Sequence, residues 1–277
     1  MNDCSQNANH LLDAAASAFS ETAAVGGAEK LRCGVDLGTA SIILVALGEN
    51  GEPVASEIQP CQVARDGLVV DYMGAIEIVR RLGKNLEKRL GRLPPNAAIA
   101  VPPGTNSRNS GTHRHIVEAA GMEVTAVLDE PTAANAVLGI QNGVVVDIGG
   151  GTTGLSVFRG GKVVYVADEP TGGTHMSLVL MGRYKMSFEE AEAFKQNPGN
   201  HAEVRAAVLP VVEKMAGIVK RHIAGYGDVR EAWLVGGTCC LSGIEDIFTR
   251  ILEIETKKPQ QPMMVTPLGI ALNCEPG

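Results

Sequence analysis

An α/β protein of two related lobes is what the sequence predicts, on three observations. Strand-like runs come first and helical runs follow, and the order then repeats. An aspartate at a strand end, followed by a glycine turn, a threonine and a second strand, also occurs twice. Glycine reaches 33 of 277 residues against five Phe, four Tyr and one Trp, which points to tight turns or to backbone brought close to a ligand.

Residues 1–30 are rich in Ala, Ser and Asn and end in Ala23-Ala24-Val25-Gly26-Gly27-Ala28, so they are expected to form a flexible tail and linker. Leu11, Leu12, Ala15, Ala16 and Phe19 fall at helical spacing, which makes a short amphipathic docking helix the alternative. The first lobe is expected over 31–144, completed by 260–277, and the second over 145–259. In the first, strands at 32–36, 42–47 and 54–58 form a meander around Gly38-Thr39 and Glu49-Asn50-Gly51. A helix over 74–90 follows, carrying Ile76, Val79, Leu82, Leu86 and Leu90 and stopped by Gly91-Arg92-Leu93-Pro94-Pro95. A strand at 97–101, a helix at 106–120, a strand at 124–128 and a helix opened by Pro131 complete it. In the second lobe strands at 143–148, 155–159 and 163–167 form another meander. Helices near 176–182, 188–196 and 203–224, a strand at 231–235 and helices near 242–252 and from Pro267 close the chain.

The charge balance is 24 Lys+Arg against 31 Asp+Glu, a formal net charge of −7. With no basic run longer than a pair, the chain has no electrostatic footprint for nucleic acid or anionic lipid, and neither partner is expected. No apolar stretch reaches the roughly 18–20 residues that cross a bilayer, and the first twenty residues lack a signal-peptide pattern, so a cytoplasmic protein is expected. The six cysteines include no CxxC pair and are expected as free thiols.

The chemistry rests on the internal echo. Gly34-Val35-Asp36-Leu37-Gly38-Thr39 and Val145-Val146-Asp147-Ile148-Gly149-Gly150-Gly151-Thr152 each place a carboxylate beside a glycine turn. Glycines let backbone N–H groups crowd an anion, whereas an aspartate beside phosphate needs a cation between them. Two such hairpins facing each other would bind a nucleotide polyphosphate with Mg²⁺, held by Asp36 and Asp147. Two ordinary β-hairpins with Asp-Gly turns are the alternative. Residues 149–154 also satisfy G-x-G-x-x-G, but Leu155-Ser156-Val157-Phe158-Arg159 alternates as a strand where a dinucleotide site needs a helix. No G-x-x-x-x-G-K-[ST] and no D-F-G occurs, so neither a P-loop nor a protein kinase is indicated.

Four motifs in order now resemble a known family: Gly34–Thr39, then Ala100-Val101-Pro102 with Leu128-Asp129-Glu130-Pro131-Thr132-Ala133-Ala134, then Val146–Thr153, then Trp233-Leu234-Val235-Gly236-Gly237-Thr238. This is the pattern of the actin, sugar-kinase and seventy-kilodalton heat-shock ATPase superfamily. Within it the chain is most similar to the ethanolamine-utilisation J (EutJ) family, chaperone-like relatives encoded with bacterial microcompartments. The similarity runs from about 31 to 272 and includes Arg65-Asp66-Gly67-Leu68-Val69-Val70-Asp71, Asp168-Glu169-Pro170-Thr171-Gly172-Gly173 and Val265-Thr266-Pro267-Leu268-Gly269-Ile270-Ala271.

The resemblance implies two ribonuclease-H-like lobes around a nucleotide cleft, with ATP and Mg²⁺ as ligands. Asp36 and Asp147 would hold the Mg²⁺ water shell, and Gly38, Thr39, Gly149, Gly150, Gly151 and Thr152 would grip phosphate. Glu130 would orient or deprotonate the attacking water; the alternative is a helix-start glutamate favoured by the dipole. Glu192 and Lys195, three apart on the helix opened by the capping box Ser187-Phe188-Glu189-Glu190, would contact adenosine; the alternative is a solvated surface pair. Gly172 and Gly173 belong to the cofactor set, as do Gly236, Gly237 and Thr238, whose backbone would approach ribose and adenine.

Departures from the chaperones temper hydrolysis. Gly154 stands where they carry a second catalytic Asp, Cys240 lies near their adenine-stacking Arg, and the short stretch between Thr39 and Ala97 removes the usual catalytic lysine. The resemblance therefore implies ATP binding with weak ATPase activity, in a chaperone or assembly role with a protein client or microcompartment component, and with microcompartment association and oligomerisation left open. An actin-like filament or scaffold and a small-molecule kinase are the other classes. Cys239-Cys240 and Met263-Met264 are expected to pack as apolar side chains. His113 and His115, two apart on a helix, do not share a face for a metal.

Overall fold

The computed structural model describes residues 3–24, 26, 29–65, 68–105 and 107–277. Val25, Gly27 and Ala28 of the expected linker, Asp66-Gly67 of the Arg65–Asp71 motif and residue 106 lie outside them. Contacts divide the chain into one unit of Met1–Gly139 with Met264–Gly277 and a second of Ile140–Met263.

Unit 1 is a five-stranded sheet in the order β3-β2-β1-β6-β7, built from β1 (Arg32–Leu37), β2 (Ser41–Leu47), β3 (Pro53–Pro60), β6 (Asn96–Val101) and β7 (Glu123–Asp129). β1, β6 and β7 run parallel, while β1–β2 and β2–β3 are hairpins. A two-stranded ribbon, β4 (Ala64–Arg65) with β5 (Leu68–Val69), follows β3. α2 (Tyr72–Leu90) starts because the Asp71 carboxylate accepts from Gly74 N at 2.9 Å, and it stops at Gly91, whose φ of 80° only glycine adopts freely. Its Ile76, Val79, Leu82 and Leu86 are buried against the sheet, as the heptad-like spacing predicts. α3 (Ser107–Glu118) joins β6 to β7, and α4 (Glu130–Leu138) leaves β7 through the Asp129 cap, which accepts from Thr132 N at 2.9 Å. Glu130 therefore takes the first helical position, one residue ahead of Pro131. α9 (Val265–Leu272) crosses α4 and β1 at contacts too close for side chains. A Cβ on Gly269 would strike the Ala133 carbonyl, and one on Gly34 would come within 2.7 Å of Pro267 O.

Residues 3–24 differ from the expected tail. α1 (Asp3–Ser17) packs on β3, with Leu12 and Ala15 fully buried, and Ser56 Oγ donates to Ala15 O at 2.9 Å. The apolar spacing that suggested a docking helix is the spacing the fold uses; its receptor is a strand some forty residues away, which local sequence does not reveal.

Unit 2 repeats the sheet order as β10-β9-β8-β11-β12, from β8 (Gly143–Ile148), β9 (Thr153–Arg159), β10 (Lys162–Glu169), β11 (Glu231–Val235) and β12 (Glu255–Lys257). β8, a run of buried apolar residues broken by Asp147, is central. β9 is a strand directly after the glycine turn, which disposes of a dinucleotide site. α5 (Gly173–Tyr184), α6 (Phe188–Gln196), α7 (His201–Ile223) and α8 (Ile244–Leu252) supply the helices. The α6 capping box is in place: Ser187 N donates to Glu190 Oε2 at 2.8 Å and Glu190 N donates to Ser187 Oγ at 3.1 Å. Val204, Val208, Val212, Met215 and Val219 of α7 line one buried stripe in the same core as Val144, Val146, Leu155 and Val157.

Candidate functional site

In unit 2 the glycine turn after β8 is held from three directions. Gly149 N donates to Thr152 O at 3.0 Å, closing the turn. Gly149 O then accepts from Gly173 N at 2.9 Å and from Thr238 Oγ1 at 2.8 Å, while Gly150 O accepts from Thr174 N at 2.8 Å. The start of α5 and the turn after β11 are thereby fastened to the same loop. Asp147 is buried, and β11 brings Val235 into register beside it, so Gly236 arrives against the carboxylate. Thr153 Oγ1 donates to Thr171 O at 2.7 Å and fixes the strand leading into Gly172-Gly173.

The glycines at this end fall into two groups. A Cβ on Gly172 would lie 2.6 Å from Gly150 O, one on Gly173 would strike Thr238 Oγ1, and one on Gly236 would lie 2.5 Å from Ile148 O. These three are demanded by the protein's own packing. A Cβ on Gly149 would meet nothing closer than Thr152 O at 3.7 Å, and one on exposed Gly237 nothing closer than Met263 Cγ at 3.9 Å. At these two an added methyl would make only ordinary van der Waals contact.

Glu192 and Lys195 are no freely solvated pair. Lys195 Nζ donates to Glu192 Oε1 at 2.6 Å, to Ser177 Oγ at 2.8 Å and to Gly173 O at 3.2 Å, and Ser177 Oγ also donates to Glu192 Oε1. The two side chains are only 22% and 14% exposed. Ser177, buried on α5, is the member of this cluster that sequence reasoning missed; nothing marks a serine in a helix as a bridge until α6 is folded onto α5. Cys239 is buried, with its thiol donating to Val235 O at 2.9 Å. Burial and the nearby Asp147 carboxylate push that thiol well above its ordinary range, so it packs as a protonated side chain.

In unit 1 the corresponding turn links β1 to β2. Asp36 pairs with Ile43 one residue before the strand end, Gly38 approaches so closely that a Cβ would lie 2.8 Å from Ser41 O, and Ala40 O accepts from Cys61 N at 3.1 Å. Thr39 lies in that turn. Because β1, β6 and β7 are parallel and adjacent, Asp36 and Glu130 emerge at the same end of the sheet, with β6 between their strands. That places their strands about 10 Å apart, outside the carboxyl ends, where open α/β sheets bind ligands.

Among the described residues no group of three or more His, Cys, Asp or Glu could cage a metal. His113 is buried and His115 exposed, on different faces of α3. Among the described residues no helix is long and apolar enough to cross a membrane.

Comparison with known proteins adds the family. A family model described as type IV pilus assembly protein PilM matches residues 112–266. The ethanolamine utilization protein EutJ of Escherichia coli K12 is 46% identical over 239 residues, 86% of this chain and 84% of that protein. The crystal structure of EutJ from Carboxydothermus hydrogenoformans, also 46% identical, covers 97% of this chain and 98% of its own with a TM-score of 0.90. MreB5 of Spiroplasma citri bound to ADP shares the fold at 17% identity, with a TM-score of 0.69 over 87% of this chain and 94% of its own. The chain belongs to the EutJ family of ethanolamine utilization proteins and has the fold of the actin-like ATPases.

Proposed function

We propose that the chain binds ATP with Mg²⁺ and hydrolyses it slowly, as a chaperone-like factor for enzymes or assembly of an ethanolamine-utilisation microcompartment in the cytoplasm. The observation that carries this reading is the pinned turn 149–152. The carbonyls of Gly149, Gly150 and Thr152 are bonded within unit 2, a Cβ on Gly149 would make only ordinary contact with Thr152 O at 3.7 Å, and buried Asp147 stands beside the turn. A loop already fixed in shape costs little ordering when it meets a phosphate chain.

The donor set suits Mg²⁺, which takes one or two carboxylates, keeps several waters and uses the phosphates as its remaining ligands; a caged protein site is not needed. Bound there, Mg²⁺ would supply charge neutralisation for the polyphosphate. Asp36 and Asp147 would face its waters; Gly38, Thr39, Gly149, Gly150, Gly151 and Thr152 would hold the phosphates through backbone and hydroxyl groups. Gly172 and Gly173 would act by bracing that turn. Glu192 and Lys195, already ordered by Ser177, would offer a hydrogen-bond acceptor and donors to the nucleoside. Gly237 and Thr238 would let backbone approach it, with Gly236 seating the turn. Glu130 would accept a proton from the attacking water as its oxygen bonds to the terminal phosphorus and the bridging oxygen leaves with ADP.

ATP binding and turnover by purified wild type, measured beside Asp147→Ala, test this. Slow phosphate release by wild type, with Mg²⁺-dependent binding lost in the variant, is the expected result. Wild type that binds no nucleotide would overturn it. The fold shared with MreB5 favours one second reading, a nucleotide-controlled filament; ATP-dependent sedimentation would reveal it.

A further inference from the structure

The two units treat their matching edge strands in opposite ways. In unit 1, β3 begins and ends on Pro53 and Pro60, and the segment after α1 covers its outer side. Ser56 N donates to Ala18 O at 2.9 Å, and Ala23 N donates to Val54 O at 3.0 Å. Pro residues and a covering segment are how proteins keep a sheet edge from pairing with another chain. In unit 2, β10 holds the same edge place in its sheet and has only β9 beside it among the described residues. It reads Lys162-Val163-Val164-Tyr165-Val166-Ala167-Asp168-Glu169, with no Pro and no Gly, and Val163, Val164 and Val166 are 37%, 44% and 38% exposed.

We propose that β10 is the pairing edge of a homodimer, in which two copies run antiparallel about a two-fold axis at Val166. The strand's charge order selects a second copy as the occupant. The register against β9 slips by one between Val163 and Tyr165, so Val163 and Val164 together oppose Phe158 and the strand offers seven positions. Reversed on itself about Val166, it places Lys162 opposite the second copy's Glu169 at both ends, Tyr165 opposite Ala167, and Val166 opposite Val166. Alternation across the bulge puts Lys162 on the same face as Tyr165 and Glu169. That is the α7 face, where Tyr165 Oη and Glu169 Oε1 each lie 2.7 Å from a ring nitrogen of His222. His222 thereby holds both side chains upright along the shared edge. Opposite charges at both ends fix the register, and the exposed valines supply the apolar area. The dimer is independent of the nucleotide reading, since no residue of the glycine turns takes part.

Sedimentation equilibrium of the full chain at micromolar concentrations should give twice the 29.0 kDa monomer mass. Val166→Lys, which sets two ammonium groups face to face at the axis, should return it to monomer with an unchanged circular dichroism spectrum. Val166→Cys should form a disulfide-linked dimer under mild oxidant, whereas wild type, with Cys240 as its exposed thiol among the described cysteines, and Val163→Cys should not. A monomeric wild type overturns the proposal. So does a dimer that Val166→Lys leaves intact, or one in which Val166→Cys fails to cross-link.

Discussion

Gly236 and Gly237 are neighbours with opposite reasons for being glycine. Gly236 has φ of 92°, and a Cβ there would lie 2.5 Å from Ile148 O and press on Asp147. Gly236→Ala should therefore destabilise the protein by about 2 kcal/mol or more, read as a fall in the denaturant midpoint, because left-handed strain and a backbone collision add. Gly237→Ala meets only Met263 at 3.9 Å and should leave that midpoint unchanged while weakening ATP binding. Equal ATP affinity in Gly237→Ala and wild type would remove Gly237 from the site. The motif containing these glycines was legible in the sequence, but their division of labour was not. It depends on which atoms of β8 stand behind the turn. The same holds for Glu192 and Lys195: spacing put them on one face of α6, and only the packing of α5 supplied Ser177 and Gly173 O as their partners.

At the scale of elements, Arg89 of α2 decides whether α1 belongs to the fold. Its Nη2 donates to Ala18 O at 2.6 Å and Glu21 O at 2.5 Å, its Nε to Thr22 Oγ1 at 2.9 Å, and its Nη1 to Ser56 O at 2.8 Å and Glu57 Oε1 at 2.7 Å. One guanidinium thus clamps the segment that follows α1 to β3, using the fork geometry that lysine lacks. Arg89→Ala should loosen this junction by about 2 kcal/mol, the worth of charge-assisted hydrogen bonds to carbonyls. Proteolysis within residues 18–24 should then run roughly thirtyfold faster if cleavage follows the open population. Arg89→Lys should fall between. Cleavage at the wild-type rate in Arg89→Ala would show that Leu12 and Ala15 hold the helix unaided. α2 itself was legible from apolar spacing and its glycine stop, because its signals are local. β4, β5 and β12, two or three residues each, have too little pattern to read, and pairing alone makes them strands.

For the whole molecule, the duplication was legible because each lobe carries its own aspartate, glycine turn and meander, and the sheets repeat one strand order. The consequence to test is whether both units answer the same ligand. Trp233 is the single tryptophan and lies on β11, so its fluorescence reports unit 2 alone, whereas circular dichroism at a helical wavelength reports both units. A ligand that binds only the folded state stabilises by about 2.7 kcal/mol at a hundred times its Kd. If Asp36, Thr39 and Glu130 of unit 1 share the nucleotide with Asp147 and the 149–152 turn of unit 2, Mg²⁺ with ATP should raise the fluorescence and dichroism transitions together. Asp36→Ala should then lower both shifts, although the substitution is in the unit without the tryptophan. A rise confined to the fluorescence transition, unaffected by Asp36→Ala, would assign binding to unit 2 alone and leave the first glycine turn as an ordinary hairpin.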